Sequence, residues 1–345
     1  MSEPADSVRI GGRQILAPPS PGVTPRPETP TFSVVIAAYN AAAYIGAAID
    51  SVLEQSVAPQ EIIVCDDAST DETARIVEAY GSRVLLRKLD TNSGPARARN
   101  EAVGAASGEF VLVLDADDRY LPGRIEALGE VLRDRPDLDI LTTDAYVEVD
   151  RQTVGLFYGP HWRFEVTDQR AEILRRNFIF VAAAVRREHV LAVGGFDGVP
   201  GTEDWALWIR LILSGSRAAC IDEPLAVYLD RPDSLSADQA RMVRSELSTL
   251  RKAAALSTLT ASERAIVRRT IAGNEREVLR QDLRVAIEQG SPGAHRLSWQ
   301  LMKHPGTGVR TRLKAAGGIV SPSLLRRRLR RRDDQTKGAD TTAPH

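Results

Sequence analysis

The chain has 345 residues, 43% hydrophobic and 26% charged, proportions typical of a globular protein with a full core. Its two cysteines and five histidines show no spacing typical of zinc sites or a disulfide framework, and no apolar run approaches the roughly 18 residues of a membrane helix. The N-terminus lacks a basic stretch followed by an apolar one. Together with the composition and the lack of a long apolar run, this disfavours secreted, collagenous and integral-membrane classes, and we expect a cytoplasmic protein.

The net charge of −1 conceals two regions of opposite sign. Residues 1–240 contain 37 acidic and 23 basic residues, a net charge of −14, whereas residues 241–330 contain 6 acidic and 19 basic ones, a net charge of +13. Such a division suggests cations as partners of the first region and an anionic surface as partner of the second. Two solvated surfaces of opposite sign would give the same counts, so both interpretations stay open.

Composition predicts four regions along the chain. Residues 1–30 are rich in proline and poor in apolar side chains, which predicts a flexible arm. Residues 31–238 alternate between strand and helix patterns and predict an α/β domain. Residues 239–318 predict a basic helical extension, and residues 319–345 a basic, disordered tail.

Short apolar runs in the α/β region predict buried strands. They lie at residues 32–37, 61–65, 83–88, 109–114 and 139–143, with weaker candidates at 178–185 and 218–221. Helical spacing or capping residues fill the intervals, at residues 44–53, 69–80, 95–106 and 121–133, and again from about residue 203. Strands that alternate with helices predict a mostly parallel sheet with helices on its faces.

The sequence Asp115-Ala116-Asp117-Asp118 follows the clearest strand directly. Ligands of open α/β sheets bind beyond the carboxyl ends of the strands. Like charges this close raise each other's energy unless a cation or donor compensates them, and oxygen ligands suit Mg²⁺ or Mn²⁺. The alternative is an acidic turn in contact with solvent.

Two further acidic pairs lie at predicted element ends. Asp66 and Asp67 end the second strand, where a carboxylate can accept hydrogen bonds from a base or a sugar hydroxyl, or can cap the next helix. Glu203 and Asp204 open a helix. A carboxylate there can act as general base, or can simply be stabilised by the positive end of the helix dipole. Each pair keeps both interpretations.

Several common motifs are missing. The first strand is followed by AAYNAAAYIG, without the glycine fingerprint of a dinucleotide fold, and neither a G-x-x-x-x-G-K loop nor a G-x-S-x-G elbow occurs. A redox enzyme, an NTPase and a serine hydrolase are therefore disfavoured.

Six segments, taken in order, resemble glycosyltransferase family 2. They are SVVIAAYN (33–40), VCDDASTDET (64–73), NSGPARARN (92–100), GEFVLVLDADD (108–118), GGFD (194–197) and EDWALWIRL (203–211). The resemblance covers about residues 32–236 and implies a GT-A fold, a nucleotide-sugar donor, a divalent metal (Mg²⁺ or Mn²⁺) and inversion at the anomeric carbon.

The resemblance also implies roles for individual residues. Those that match nucleotide-sugar-binding positions are Ala37, Tyr39, Asn40, Asp67, Arg97, Arg99, Asp115, Ala116 and Asp117. Asp67 matches the carboxylate that holds the base. Asp115 and Asp117 match the metal-binding D-x-D pair, with Asp117 as the direct ligand. Asp204 matches the catalytic base, and Glu203 beside it is expected to belong to the catalytic pair.

Two family signatures differ here. The family often reads Tyr-Arg-x-His-Pro-x-Ser-x-Ser after the base helix, but here Leu229 and Arg231 replace the Arg and the His. An arginine can contact phosphate but cannot ligate a cation, which weakens the expectation of metal dependence. The Q-x-x-R-W signature of processive synthases is also absent, so we expect one sugar per transfer.

The resulting hypothesis is a glycosyltransferase of polysaccharide, glycolipid or surface-glycan synthesis, with a glycan or lipid-linked acceptor. A sugar nucleotidyltransferase would show a Gly-rich basic loop after its first strand, which is absent. A non-catalytic binding module is disfavoured by the retained carboxylates, and no fold or aromatic interleaving predicts nucleic-acid binding.

Near the C-terminus, leucines are interleaved with arginines, which predicts peripheral contact with an anionic membrane at the inner face of the plasma membrane. These residues are Leu324, Leu325, Arg326, Arg327, Arg328, Leu329 and Arg330, and Arg331 and Arg332 follow directly. A disordered tail and a helix packed on the acidic domain are the alternatives.

Overall fold

A computed structural model describes residues 7–159, 162–232, 234, 237–304, 306–308 and 311–312. The strands in this part of the chain are β1 (Ser7–Ile10), β2 (Arg13–Leu16), β3 (Phe32–Ala38), β4 (Glu61–Asp66), β5 (Leu85–Lys88), β6 (Phe110–Asp115), β7 (Arg119–Tyr120), β8 (Ile140–Val149), β9 (Gln152–Leu156), β10 (Ala184–Arg186) and β11 (Ala218–Leu229). The α-helices are α1 (Ile45–Leu53), α2 (Thr73–Glu78), α3 (Pro95–Ala105), α4 (Arg124–Asp134), α5 (Gln169–Glu172), α6 (Arg187–Ala192), α7 (Glu203–Leu213), α8 (Gln239–Ala254), α9 (Ala261–Gln289) and α10 (Ala294–Lys303).

All the strands join one sheet, in the order β1-β2-β11-β8-β10-β6-β3-β4-β5, with β7 on β11 and β9 on β8. The half that holds β6, β3, β4 and β5 is parallel, as crossover connections through helices require. The predicted α/β class is confirmed. The sheet is mixed rather than mostly parallel, because β10 inserts antiparallel between β6 and β8. Of the apolar run 178–185, only the last two residues pair in that strand.

Helices cover both faces of the sheet because its buried strands are apolar on both sides. Val34 and Ile36 of β3 pack in one core with α1 and α4, whereas Val35 packs in the other with α3 and α7. The helix predicted from about residue 203 is present as α7, and its Trp208 is fully buried. Because β3, β4 and β6 are parallel, their carboxyl ends lie at the same edge of the sheet, which places their terminal side chains together.

The N-terminal segment is not the flexible arm that its prolines predict. Within it, β1 and β2 form a hairpin, and Leu16 of β2 pairs with Cys220 of β11. Ile15 is fully buried. The turn is Gly11-Gly12, with φ of 57° and 81°, a conformation that glycine adopts without strain and that suits a two-residue hairpin. The signal was the Gly-Gly pair between two short alternating segments.

The two cysteines, Cys65 on β4 and Cys220 on β11, are free and buried in the same apolar core, with four strands of the sheet between them. After β11 the described chain is helical: α8 packs on α7 and α9, and α10 packs on α9 around a small apolar cluster. This agrees with the predicted helical extension.

No helix in the described residues is both long enough and apolar enough to cross a membrane. The leucine- and arginine-rich stretch at 324–332 and the predicted tail, 319–345, lie outside the described residues, so the membrane-contact prediction stays a prediction.

Candidate active site

A cleft of about 1010 Å³ opens at the carboxyl edge of the parallel strands. Its lining includes residues that follow β3, β4 and β6, which form one wall, and residues from the start of α7 and the segment before β10, which form a second wall. Most of the predicted site residues line this cleft. They are Ala37, Tyr39, Asn40, Asp67, Arg99, Asp115, Ala116, Asp117, Glu203 and Asp204.

The loop after β3 is held by Asn40. This residue has φ of 47°, and its side-chain oxygen accepts a hydrogen bond from the Thr70 backbone N–H at 2.9 Å. The interaction joins the loops after β3 and β4, so Asn40 fixes the cleft wall rather than capping α1, which begins at Ile45. Tyr39 beside it is 48% exposed, an aromatic face that a planar base can stack on.

Asp67 is buried and supports the loop that leads into α3. One carboxylate oxygen accepts from the Ser93 N–H and the other from the Gly94 N–H, both at 2.7 Å. Gly94 has φ of 88°, which favours glycine at this bend. Asp67 therefore lines the cleft and also fixes the backbone of the loop that forms its floor.

Arg99 joins the two walls of the cleft. Its Nη2 donates to Asp115 at the end of β6 at 2.6 Å, and its Nη1 donates to Glu203 at the start of α7 at 2.7 Å. Burial opposes its charge, but the attraction of Asp115 and Glu203 prevails and raises the pKa of Arg99. Glu203 uses its second oxygen to accept from the Gly201 N–H at 2.7 Å. This is a buried bridge that holds α7 against the sheet.

Asp117, two residues after Asp115, lines the cleft and pairs with Arg231. The guanidinium donates from Nε at 3.0 Å, and its Nη2 lies 2.8 Å from the same oxygen, Oδ2. Burial and the charge of Asp115 raise the pKa of Asp117, and Arg231 opposes this rise. The neighbouring Asp118 is buried and accepts from the Leu229 N–H at 2.9 Å, which fastens the acidic turn to β11.

Asp204 projects from the first turn of α7 into the cleft, where Asn177 donates to its Oδ2 at 2.8 Å. Burial and the negative charge of Glu203 raise the pKa of Asp204 to about 7, although the Trp205 N–H, Arg99 and Asn177 act in the opposite direction. A carboxylate with this pKa is suited to accept a proton near neutral pH.

Arg97 does not join the other predicted residues. Its side chain is 64% exposed and lies 3.6 Å from Glu101, one turn along α3 on the outer surface. Residues 97 and 99 are two positions apart on a helix, so their side chains point in different directions. The prediction that Arg97 borders the donor is therefore not supported by its position, whereas Arg99 is turned inward.

An aromatic wall, formed by Phe157, Trp162, Phe180 and Tyr228, faces the cleft beside Asp204 and was not predicted. Phe157 is at its centre: its ring lies 4.0 Å from that of Trp162, 4.2 Å from that of Phe180 and 5.7 Å from that of Tyr228, between centroids. The Trp162 Nε1 donates to the Asn177 carbonyl at 2.6 Å. The signal in the sequence was the density of aromatic residues in the irregular segment between β8 and β10.

The acidic turn has the donor set of a Mg²⁺ or Mn²⁺ site that a ligand completes. Among the described contacts, Arg231 meets Asp117 at Oδ2, and Arg99 meets Asp115 at Oδ1. Within the described residues, no group of three or more His, Cys, Asp and Glu side chains is placed to hold an ion unaided. One or two carboxylates plus phosphate oxygens and water form a usual Mg²⁺ shell, so the residues fit a cation that arrives with a phosphorylated ligand.

Comparison with known proteins finds related sequences and similar folds. The family model for glycosyl transferase family 2 matches residues 33–193, which include the acidic turn and the loops after β3 and β4. The chain is also similar to WfgD of Escherichia coli, a UDP-Glc:α-D-GlcNAc-diphosphoundecaprenol β-1,3-glucosyltransferase. The two are 41% identical over 188 residues, which cover 54% of this chain and 72% of that protein.

Solved structures of similar fold include Staphylococcus aureus TarS 1–349 in complex with UDP-GlcNAc, with a TM-score of 0.60, 20% identity and coverage of 85% of this chain and 89% of that one. The mannosyltransferase PcManGT of Pyrobaculum calidifontis, in complex with GDP-Man and Mn²⁺, has a TM-score of 0.55, 20% identity and coverage of 88% and 89%. These likenesses establish a GT-A fold. The chain belongs to glycosyltransferase family 2 and is a glycosyltransferase.

Proposed function

We propose that this enzyme transfers a single sugar from a nucleotide-diphosphate sugar to an acceptor hydroxyl, with inversion, in the synthesis of a polysaccharide, glycolipid or other surface glycan. The observation that carries the proposal is that Asp204 lines the same cleft as the Asp115–Asp117 turn. In this proposal the carbon that reacts lies between the proton acceptor and the anionic turn that binds the metal.

The nucleotide fits the wall formed by the loops after β3 and β4. Tyr39 offers an aromatic face, and Ala37 leaves space at the end of β3. Asp67 lies beneath, with both oxygens already accepting from backbone N–H groups. This favours a role in which Asp67 shapes the base pocket and contacts the base through the remaining lone pairs of its oxygens.

Asp117, supported by Asp115, would hold Mg²⁺ or Mn²⁺ in this proposal, as the donor set allows. The cation would neutralise charge on the departing nucleoside diphosphate. The PcManGT complex, which contains GDP-Man and Mn²⁺, is the precedent in a similar fold.

Asp204 accepts the proton of the acceptor hydroxyl as the oxygen attacks the anomeric carbon from the face opposite the diphosphate. A single displacement of this kind inverts the configuration. The sequence resemblance groups Glu203 with Asp204 as catalytic, but its contacts favour another role. One oxygen of Glu203 accepts a hydrogen bond from Arg99 and the other accepts from the Gly201 N–H, which favours a positioning role.

The aromatic wall forms the acceptor side of the cleft in this proposal. Aromatic faces beside a catalytic carboxylate suit the apolar face of a sugar ring. WfgD, by its name, glucosylates a sugar attached to a diphosphate lipid, and a lipid-linked acceptor of that type fits the open end of this cleft.

A donor panel tests the function. Thermal shifts measured with UDP- and GDP-sugars and Mn²⁺ are expected to single out one donor, because a ligand at about 100 times its dissociation constant stabilises by about 2.7 kcal/mol. Asp117→Ala is expected to remove the part of this shift that depends on Mn²⁺. Asp134→Ala, which lies at the far end of α4 and pairs with Arg133, is the matched control and should shift like the wild type. No shift with any donor would contradict the proposal.

Membrane contact is tested with vesicles. Each basic residue near an anionic leaflet contributes about 1 kcal/mol, so the basic C-terminal region is expected to bring the full chain down with anionic liposomes and not with neutral ones. Truncation after Gly317 should abolish sedimentation. Equal binding to both kinds of vesicle, or undiminished binding after truncation, would exclude this contact.

A further inference from the structure

The ion pair between Arg231 and Asp117 lies at the point where the metal-binding turn faces the cleft. Both side chains line the cleft, and both are 23% exposed. The Arg231 guanidinium also lies over the Tyr44 ring, 4.6 Å from its centroid, just before α1. Arg231 is thus held between an aromatic face and the very carboxylate that the proposed function assigns to the cation.

The backbone near Arg231 is tied to the same acidic turn. Asp118 accepts from the Leu229 N–H, two residues before Arg231. The start of the segment after β11 therefore stays beside the turn when the ion pair changes, and only the Arg231 side chain needs to move.

A guanidinium and a divalent cation compete for a carboxylate. Two positive groups at one carboxylate repel each other, so a cation binds Asp117 more tightly when Arg231 withdraws. A diphosphate offers Arg231 a new anionic partner within the same cleft, in the two-pronged geometry that guanidinium groups favour.

We propose, resting on the proposed function, that Arg231 exchanges partners: it neutralises Asp117 in the empty cleft and moves to the donor diphosphate when the cation takes Asp117. Cation and nucleotide then bind cooperatively, because each removes the other's competitor. By linkage, the nucleotide raises the affinity for the cation by the same factor as the cation raises the affinity for the nucleotide.

The test measures Mn²⁺ binding without any turnover. Free Mn²⁺ is titrated by electron paramagnetic resonance against the wild type and Arg231→Gln, alone and with saturating UDP or GDP. Arg231→Gln is expected to bind Mn²⁺ alone more tightly by roughly fivefold or more, since its competitor is gone, and to bind UDP or GDP without metal more weakly. The enhancement of Mn²⁺ affinity by nucleotide, expected in the wild type, should shrink.

A matched control separates this exchange from a general change of charge. Arg241→Gln removes one positive charge from the same cleft, which Arg241 also lines, but not from Asp117. Its Mn²⁺ affinity is expected to stay within about twofold of the wild type. Arg231→Leu, which is uncharged and has no metal-ligating atom, serves as a second variant should the glutamine variant fold poorly, and is expected to tighten Mn²⁺ binding in the same direction.

The outcomes distinguish this proposal from the function on which it rests. If UDP or GDP binds the wild type but neither Arg231 variant binds Mn²⁺ alone more tightly, the exchange is wrong and the transferase proposal stands. An equal gain in Arg241→Gln would also overturn it. If no nucleotide binds the wild type, the proposed function itself fails.

Discussion

Replacing Asp204 by Asn is expected to lower the rate of sugar transfer by about 10²–10⁴-fold, the usual loss when a general base is removed. The amide has nearly the same shape and can still accept the hydrogen bond from Asn177, but it cannot take the proton of the acceptor hydroxyl. Donor affinity should be unchanged, because the proposed donor contacts, Tyr39, Asp67 and Asp117, do not include this side chain. Initial rates with the donor that the panel identifies, and calorimetric titration of that donor, measure the two quantities.

A surface carboxylate provides the control for this substitution. Asp197 pairs with Lys252 at 2.9 Å, away from the cleft, so Asp197→Asn should transfer sugar at about the wild-type rate. Near-normal transfer by a folded Asp204→Asn variant would remove Asp204 as the base and return attention to other cleft carboxylates, such as Glu246.

The pH profile gives the same assignment a second readout. Because Asp204 must be ionised to accept a proton and its pKa is raised to about 7, kcat/KM is expected to rise with pH up to about 7 and level off above it. The sign for stability is opposite. The folded state favours the protonated form, so this contribution is complete below about pH 4 and is lost as pH rises through about 7. The asparagine variant should lack this loss.

The carboxylates on the sheet side of the cleft were predictable because each follows a short apolar run directly. Strand β6 is apolar up to Leu114, and its parallel register with β3 brings Asp115 opposite Ala37. Strand β4 ends beside β3, which brings Asp67 to the same edge. Local patterns therefore specify this half of the site, since parallel strands share one carboxyl edge.

The aromatic wall was not predictable in the same way, because its residues meet only through tertiary packing. Phe157 follows β9, Phe180 precedes β10 and Tyr228 lies in β11, and no single periodicity links them. The N-terminal hairpin was missed for a similar reason. Prolines dominate the composition of this segment, and the strand that joins the hairpin to the sheet, β2, pairs with β11, which follows much later in the chain. The exchange of partners at Arg231 likewise depends on a contact that joins residues more than a hundred positions apart.

Arg99 presents the largest expected effect on folding. Replacing it by Met would leave Glu203, which is 4% exposed, and Asp115 without their shared cation. Breaking a buried ion pair from one side typically costs about 3–5 kcal/mol, because the partner charge stays buried and unpaired. We therefore expect Arg99→Met to lower the free energy of unfolding by that amount in urea titrations at pH 7.5.

Arg97→Met is the matched control on the same helix. Arg97 is 64% exposed and its pair with Glu101 is a surface one, which is worth at most about 1 kcal/mol. Similar losses in the two variants would contradict the bridging role of Arg99.

A double-mutant cycle then separates the bridge from general packing. If Arg99 holds Glu203, the change Glu203→Gln should cost clearly less in the Arg99→Met background than in the wild type, since it then removes an uncompensated charge. Costs that simply add, to within about 0.5 kcal/mol, would show that the two side chains act independently. Coupling would instead mean that one guanidinium fixes the Asp115–Asp117 turn and helix α7, which carries Asp204, relative to each other, so that a single buried residue sets the distance between the proposed metal site and the proposed base.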